Sequence, residues 1–180
     1  MLHKLLFSGS GGQGVLTIGN IFGNAAMLED LHVTFLPEYG AAMRGGTANC
    51  TICVSDEEIA SPVASSPDMV LAMNQPSVDS FINKLSSGGK LLYNSSIVDT
   101  IPSRKDVDLF TVPASEIAHR LNDPRSTNMI IIGAFTRLAD IVSIDKVYQS
   151  VDVLMGKKQK VAESIKKAIA EGYDNFPFEN

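Results

Sequence analysis

Short apolar segments alternate with amphipathic segments along most of this 180-residue chain. The apolar segments are predicted strands at 3–8, 32–36, 47–54, 69–73, 90–93 and 107–112, and the amphipathic ones are predicted helices from 15 onward and at 77–85, 114–121, 128–141, 145–154 and 157–171. Such alternation favours an α/β fold in three layers, with a mostly parallel sheet covered on both faces. The length suits a single domain over 1–172, followed by a tail at 173–180.

Charge and composition exclude several functional classes. The formal net charge is −5 and the sequence pI is about 5.1, which argues against a general nucleic-acid binder. With two cysteines, the chain alone can form neither a disulfide framework nor a four-cysteine zinc or iron–sulfur site. Its N-terminal apolar run is too short for a secretory signal peptide, and no segment approaches the ~20 apolar residues of a membrane span. We therefore expect a cytoplasmic domain.

A glycine-rich segment, called the glycine loop below, joins the first predicted strand to the first predicted helix. It consists of Gly9, Ser10, Gly11, Gly12, Gln13 and Gly14, in the spacing G-x-G-x-x-G. Glycines allow a sharp turn and leave backbone N–H groups unshielded beside a helix N-terminus, where the helix dipole favours an anion. The loop therefore predicts a phosphate or pyrophosphate site. The alternative is a tight turn in which the glycines serve packing only.

The kind of phosphate ligand stays open on these residues. A nicotinamide dinucleotide site needs an acidic residue near the end of the second strand, about 20 residues after the loop. Glu38 is the candidate, but it follows Pro37, which we expect to stop that strand. The pattern thus favours a phosphate ligand more strongly than it favours NAD.

Further polar residues are placed near the same edge of the predicted sheet. Asn74 and Asn94 each follow a strand directly, and the carboxyl ends of parallel strands share one edge with the glycine loop. We expect both to contribute to one polar surface for a ligand or partner. Arg44 closes a long loop beside two glycines, and its guanidinium is either solvated or binds a carboxylate or phosphate.

Cysteine, histidine and serine patterns favour structural roles. Cys50 and Cys53 lie three apart on a predicted strand and so point to opposite faces, which makes them packing residues. The histidines show no ligand spacing to one another or to carboxylates, so we expect no metal site. Ser10 does not lie in a G-x-S-x-G motif, which excludes a hydrolase of that type.

Two helices carry patterns of their own. Gly19 and Gly23 give the first helix a smooth stripe that another backbone can approach closely. The last helix is predicted to bury Val161, Ile165, Ala168 and Ile169. Its lysines, at positions 157, 158, 160, 166 and 167, form a solvated face or, alternatively, dock a partner.

Several motifs together resemble the gamma subunit of 2-oxoacid:ferredoxin (acceptor) oxidoreductases. They are Gly9-Ser10-Gly11-Gly12-Gln13-Gly14, Pro37-x-Tyr39-Gly40, Arg44-Gly45-Gly46-Thr47-Ala48-Asn49-Cys50, Asn74-Gln75-Pro76-Ser77 and Asn94-Ser95-Ser96, continued by Asn128-Met129 and Gly133-Ala134. The resemblance covers roughly residues 3–170, and the motifs occur in order at family spacing. Glu38 and Ala41-Ala42 depart from the pattern, where relatives often have a small residue and Pro-Glu.

The resemblance implies a Rossmann-like domain in a multisubunit enzyme. Such enzymes convert a 2-oxo acid, coenzyme A and oxidised ferredoxin to acyl-CoA, carbon dioxide and reduced ferredoxin. Thiamine diphosphate and iron–sulfur clusters are expected in the partner alpha and beta subunits, with a ferredoxin-like delta subunit and external ferredoxin as further partners. The overall resemblance favours 2-oxoglutarate as the substrate.

From these features we expect no general acid, base or nucleophile in this chain. Backbone N–H groups of residues 10–14 would hold an anionic part of coenzyme A, with Arg44, Asn74 and Asn94 nearby. Two alternatives remain: a stand-alone NAD(P)-binding oxidoreductase that uses Glu38, and a structural adaptor subunit that binds no nucleotide.

Overall fold

The computed structural model describes residues 1–40 and 46–178 of the chain. Within them, strands and helices follow one another as β1 (Leu2–Ser10), α1 (Val15–Leu28), β2 (His32–Tyr39), β3 (Thr47–Ser55), β4 (Met69–Ala72), α2 (Gln75–Phe81), β5 (Lys90–Asn94), β6 (Asp108–Val112), α3 (Ala114–Arg120), α4 (Thr127–Ala139), α5 (Ile144–Met155) and α6 (Gln159–Asp174). Each strand and helix predicted from the sequence is present, with ends that differ by a few residues. None of the helices in these ranges combines the length and the apolar character needed to cross a bilayer.

One sheet contains the described strands in the order β2-β3-β1-β4-β5-β6. The run from β1 through β4 and β5 to β6 is parallel. Only β3 breaks this direction among the described strands, because it pairs antiparallel with both β1 and β2. The predicted α/β fold with a mostly parallel sheet is therefore confirmed.

Alternate residues of the central strands enter two separate cores. On β1, Leu5 and Phe7 belong to the larger core under α1 and α4, whereas Leu6 belongs to the smaller core under α2. This double burial explains why the central strands are apolar almost throughout. In the larger core, Phe7, Phe22 and Phe135 make mutual edge-to-face contacts, with ring centroids 4.8 to 6.0 Å apart.

Strand β2 is longer than the sequence predicts. The expectation that Pro37 stops it is wrong, because the strand continues to Tyr39 and pairs Pro37 with Cys50 on β3. The reason is position: β2 lies at the edge of the sheet, with a neighbour on one side only. Proline is tolerated there because an edge residue can lack an N–H without breaking a second ladder of hydrogen bonds.

Close backbone approach occurs between α4 and α6 and not at the Gly19 position of the first helix, where the sequence predicts it. Gly19 on α1 faces side chains instead, since a Cβ there would lie 2.5 Å from Cys50 Sγ and 2.9 Å from Phe35 Cε2. The backbones that touch are those of α4 and α6. A Cβ at Gly133 would collide with the carbonyl oxygen of Ile169 on α6. Gly172, on α6, meets the α4 backbone in the same way.

The last helix differs from its predicted pattern at its start and its end. Ala168 and Ile169 are buried as expected, but Val161 is 46% exposed. It lies beside the start of α4, in an open cleft that Arg125 also lines, and the neighbouring Ala162 is the residue that this turn buries. At the other end, α6 continues through residue 174. Beyond it, Phe176 and Phe178 pack against the larger core, so the described part of the expected tail contacts the domain.

Candidate functional site

The glycine loop connects the end of β1 to the start of α1 at the carboxyl edge of the sheet, where the parallel strands end. Gly12 has a φ of 97° and Gly14 a φ of 72°, in the left-handed region that glycine adopts without strain. Gly14 is also the N-cap of α1, and among the described residues no side chain caps that helix with a hydrogen bond. A Cβ at this position would collide with Nδ2 of Asn128. The strand–loop–helix arrangement predicted from the spacing is present.

The side chain of Gln13 folds back and fixes the shape of the loop. Its Oε1 accepts hydrogen bonds from the backbone N–H of Ser10 at 2.7 Å and from Nδ2 of Asn74 at 2.9 Å. The Gln13 N–H donates in turn to the carbonyl oxygen of Ser10, at 3.0 Å. Gly9 makes room for this arrangement, because a Cβ there would lie 2.8 Å from Gln13 Oε1. The loop is thus held in place by the protein's own hydrogen bonds.

The main-chain amides of the loop divide into engaged and unengaged donors. Two are engaged within the loop as just described, and a third, that of Gly11, donates to the carbonyl oxygen of Gly46 at 2.8 Å. Within the described part of the chain, no hydrogen bond uses the N–H of Gly12 or Gly14. The sequence predicts that backbone N–H groups of residues 10–14 bind an anion. Among the described residues, the N–H groups that remain unengaged for this role are those of Gly12, Gly14 and the first turn of α1.

Asn74 lies against the loop and also starts a helix. Besides Gln13, its Nδ2 donates to Oγ of Ser10 at 2.7 Å. Its Oδ1 accepts from both the backbone N–H of Ser77, at 3.0 Å, and the Ser77 hydroxyl, at 2.7 Å. These last two bonds make Asn74 the N-cap of α2. The structure therefore brings Asn74 together with the glycine loop, as the sequence predicts.

Asn94 lies at the same edge but outside this cluster. Strands β4 and β5 end in register, with Ala72 opposite Tyr93. Asn94 is fully buried, its Nδ2 donates to Ser115 Oγ at 2.9 Å, and its Oδ1 accepts from the Ser96 N–H at 3.3 Å. Both polar atoms of the Asn94 side-chain amide are thus hydrogen-bonded, Nδ2 to the start of α3 and Oδ1 to the turn after β5. The structure does not bring Asn94 to the glycine loop.

The β2–β3 hairpin forms the other flank of the site. The Gly40 N–H donates to the carbonyl oxygen of Thr47 at 2.7 Å, and Gly46 contacts the glycine loop as described above. The hairpin connection therefore begins and ends at the carboxyl edge. Arg44 belongs to this connection and lies outside the described residues, so its predicted role stays a prediction.

The two cysteines contact different parts of the fold. Cys50 Sγ lies 4.0 Å from the carbonyl oxygen of Val15 on α1, whereas Cys53 Sγ lies 3.7 Å from that of Pro62. The predicted opposite orientation is confirmed. Burial raises the pKa of the Cys50 thiol to about 12, so this thiol stays protonated and is a poor nucleophile at neutral pH. The described residues also contain no group of three or more His, Cys, Asp or Glu side chains that could hold a metal ion.

Glu38 is placed poorly for the ribose contact of a dinucleotide site. It lies on β2, and β3 separates that strand from β1 and its glycine loop. Neighbouring strands are about 4.8 Å apart, so two spacings put Glu38 roughly 10 Å from β1. In the dinucleotide-binding fold, the strand that carries this acid is the direct neighbour of the first strand.

Three residues of the site were not assigned to it from the sequence. Ser77 stands three residues after Asn74, a spacing typical of a capping side chain and its N–H partner, so a local signal existed. Ser8, whose hydroxyl oxygen lies 2.8 Å from that of Ser77, and Asn128 had no such capping signal. Asn128 donates from the start of α4 to the Gly14 carbonyl oxygen at 3.3 Å, a contact between distant parts of the chain.

Comparisons with known proteins agree with this fold. A family model for pyruvate ferredoxin/flavodoxin oxidoreductases matches residues 4–175. The chain is 37% identical over 135 residues to the ketoisovalerate oxidoreductase subunit VorA of Methanothermobacter thermautotrophicus, a match that covers 75% of this chain and 28% of that subunit. It is 30% identical over 177 residues to the 2-oxoglutarate synthase subunit KorC of Methanocaldococcus jannaschii, covering 97% of this chain and 94% of that subunit. The chain thus spans under a third of the VorA subunit but nearly all of KorC.

Two solved structures share the fold. The gamma subunit of a keto/oxoacid ferredoxin oxidoreductase from Geobacter sulfurreducens superposes with a TM-score of 0.82 at 25% identity, covering 96% of both chains. A 2-oxoglutarate:ferredoxin oxidoreductase from Magnetococcus marinus, solved with 2-oxoglutarate, coenzyme A and succinyl-CoA, superposes with a TM-score of 0.84 at 23% identity, covering 97% of this chain and 30% of that one. Because the family match runs through nearly every strand and helix described above, the chain belongs to the pyruvate ferredoxin/flavodoxin oxidoreductase family and corresponds to its gamma subunits.

Proposed function

We propose that this chain works as the gamma subunit of a cytoplasmic, multisubunit 2-oxoacid:ferredoxin oxidoreductase and positions coenzyme A in it. In this proposal the alpha and beta subunits carry thiamine diphosphate and the iron–sulfur clusters, and a ferredoxin-like delta subunit or external ferredoxin accepts the electrons. The family match over residues 4–175 supports the enzyme class.

One observation carries the coenzyme A part of the proposal. The N–H groups of Gly12 and Gly14 have no partner within the described part of the chain, and they lie at the N-terminal end of α1. Such donors, together with the positive end of the helix dipole, suit a phosphate group. Coenzyme A carries a pyrophosphate, and it is bound in the Magnetococcus marinus structure that shares this fold.

The proposed role is positional and involves no bond-breaking by this chain. The described side chains around the loop are amides and hydroxyls, and the nearby Cys50 thiol has a raised pKa of about 12. Groups of this kind orient an anion without donating or removing protons at neutral pH. Holding the nucleotide end of coenzyme A would bring its thiol to an acyl intermediate in the partner subunit, as an effectively intramolecular reactant.

For the 2-oxo acid we propose 2-oxoglutarate. The match to KorC runs over 97% of this chain and 94% of that subunit, whereas the more identical VorA match covers 75% and 28%. A panel of 2-oxo acids, assayed by viologen reduction in the complex purified from its native source, tests this choice. The highest kcat/KM should be found with 2-oxoglutarate, and a preference for 2-oxoisovalerate or pyruvate would overturn it.

Replacement of one unengaged glycine tests the role of the loop. Gly12→Val introduces a side chain at a φ of 97°, which strains the backbone, but no neighbour lies within 4 Å of a Cβ, so the variant should fold with reduced stability while its side chain covers the amides. Gly88→Val is the matched control, because Gly88 has a φ of 76° and equally open surroundings in a turn before β5. In the reconstituted complex, Gly12→Val should raise the KM for coenzyme A at least about tenfold, equivalent to ~1.4 kcal/mol.

The control should leave that KM unchanged while losing a similar amount of thermal stability. If Gly12→Val and Gly88→Val have the same KM as the wild type, the loop is a structural turn and the chain acts as an adaptor. Tight binding of NAD or NADP by the wild-type chain would instead favour a dinucleotide-dependent enzyme, a result that the distance of Glu38 from β1 argues against.

A further inference from the structure

The side-chain amide of Gln13 has one engaged end and one unengaged end. Its Oε1 takes hydrogen bonds from the Ser10 N–H and from Nδ2 of Asn74. Within the described part of the chain, no acceptor bonds to its Nε2. The residue is half-exposed at the surface of the loop. The glycine loop therefore presents a side-chain donor in addition to the main-chain amides of Gly12 and Gly14.

The orientation of this amide is fixed by donors that cannot be reversed. A backbone N–H only donates, so the bond from the Ser10 N–H requires that the oxygen of Gln13, not its nitrogen, faces the loop. The bond from the Ser77 N–H places the oxygen of Asn74 in the same way. Nδ2 of Asn74 must then face Gln13, and flipping either amide would set two like groups against each other.

A buried network supports this orientation from below. Ser8 is fully buried and Ser77 is 3% exposed, and their hydroxyl oxygens lie 2.8 Å apart. The Ser8 hydroxyl donates to Ser77 Oγ, the Ser77 hydroxyl donates to Asn74 Oδ1, and the side-chain amide of Asn49 on β3 lies 2.6 Å from the Ser8 hydroxyl. Buried polar groups with satisfied partners are rigid. The position of the Gln13 amide is therefore set by three neighbouring strands before any ligand arrives.

We infer that Nε2 of Gln13 donates a hydrogen bond to a phosphate oxygen of the ligand at the glycine loop, with Asn74 and Ser77 as positioning residues that aim it there. This inference rests on the proposed function, which supplies coenzyme A as the ligand. Nε2 carries two hydrogens and no bonded acceptor, which matches a phosphate oxygen with free lone pairs. Nε2 is an uncharged donor, so Gln13 can recognise an anion without a positive charge in a chain whose net charge is −5.

The variant Gln13→Glu tests the donor directly. It keeps an oxygen for Ser10 and Asn74 but replaces Nε2 by an anionic oxygen, which repels phosphate. In the reconstituted complex we expect the KM for coenzyme A and the inhibition constant of ADP to rise at least about thirtyfold. The kcat should stay within twofold, and so should the inhibition constant of pantetheine, which has no phosphate. Gln149→Glu, at an exposed position on α5, is the charge-matched control and should change none of these values.

The variant Asn74→Asp tests the positioning. Its carboxylate still accepts from Ser77 but cannot donate to Gln13 and repels Oε1, so the Gln13 amide keeps only the bond from the Ser10 N–H and its Nε2 is no longer held toward the ligand. We expect a rise in the KM for coenzyme A of at least about tenfold, again with an unchanged pantetheine constant. A wild-type KM in this variant would show that Asn74 does not orient Gln13.

The outcomes separate this inference from the proposed function. If Gly12→Val raises the KM for coenzyme A and Gln13→Glu does not, the donor role of Gln13 is wrong and the loop site stands. If neither variant changes it, the coenzyme A site itself is wrong. An equal loss of ADP and pantetheine binding in Gln13→Glu would mean a distorted loop, and this too would overturn the inference.

Discussion

The glycines of the glycine loop and the glycines between α4 and α6 serve different purposes. In the loop, Gly12 has open space around it and a positive φ, so its glycine identity leaves the backbone uncovered. At the helix contact, Gly133 and Gly172 have no space at all, and their lack of a side chain lets two backbones touch. The first arrangement exposes main-chain donors, and the second buries main-chain surface. The same residue type thus leaves main-chain donors accessible at one end of α1 and allows close helix packing between α4 and α6.

The largest effect should come from the helix contact. In Gly172→Ala the new methyl group meets the Ile130 carbonyl oxygen, and backbone cannot move aside as a side chain can. We expect a loss of about 2–3 kcal/mol in the free energy of unfolding, seen as a drop of roughly 5–10 °C in Tm. Gly23→Ala on α1 is the matched control, because its nearest neighbour is a Val33 methyl at 3.6 Å. The control should be neutral or stabilising, since alanine is the better helix former.

A smaller loss of unfolding free energy is expected at Gly14, where the glycine loop meets the start of α4. Gly14→Ala forces an alanine into a φ of 72° and into Nδ2 of Asn128. The unusual φ costs roughly 1–2 kcal/mol, and the collision adds to it. The double variant Gly14→Ala/Asn128→Ser should recover about 1 kcal/mol of the loss in a double-mutant cycle measured by urea unfolding. Purely additive effects would mean that Asn128 can move away without cost.

Gly19→Ala should be milder still. A methyl group there meets Cys50 Sγ and Phe35 Cε2, which are side-chain atoms that can shift. We expect a loss of about 1 kcal/mol. Thiol labelling gives a second measurement: with a pKa of about 12 and full burial, Cys50 should resist iodoacetamide at pH 8 in the wild type and react faster in the variant. Unchanged labelling together with unchanged Tm would show that this contact is loose.

The smallest effect concerns a polar contact where α1 ends and α5 begins. Oε1 of Glu29 accepts from the Ser143 hydroxyl at 2.6 Å and from its N–H at 2.9 Å, and these bonds hold the pKa of Glu29 below its ordinary value. A lowered folded-state pKa means that the stabilisation is present above the unfolded pKa and is lost as the pH falls through the folded pKa. Thermal unfolding should thus show a small advantage of the wild type over Glu29→Gln near neutral pH that vanishes in acid. A constant difference across this range would contradict it.

The sequence could predict the loop because its glycines cluster between two periodic segments. Gly133 and Gly172 gave no such pattern, since each is a single glycine in a helix and their contact depends on how α4 and α6 cross. The predicted strand ends gave the location of two polar residues but not their contacts. They placed Asn74 and Asn94 at the correct edge, but the direction of each amide depends on partners elsewhere in the chain.

Local sequence patterns also could not predict the hydrogen-bond partners of the loop amides. That Gly11 donates to Gly46 follows from β3 being inserted beside β1, an antiparallel neighbour that simple strand–helix alternation does not predict. The side-chain role of Gln13 likewise depends on β4 lying next to β1, which brings Asn74 within reach. Sequence reasoning therefore predicted the position of the glycine loop at the sheet edge, whereas its pattern of hydrogen-bond donors depends on the tertiary structure.

Pro37 has a consequence for how this protein behaves in solution. Strand β2 is one of the two edge strands of the described sheet, and an uninterrupted row of N–H and C=O groups there could pair with strands from other molecules. Proline in the middle of that row removes a donor, and the charged Glu38 beside it adds a desolvation cost for any newcomer. Pro37 therefore does not end β2, but it limits the pairing of further strands along the open edge of β2 and so limits aggregation.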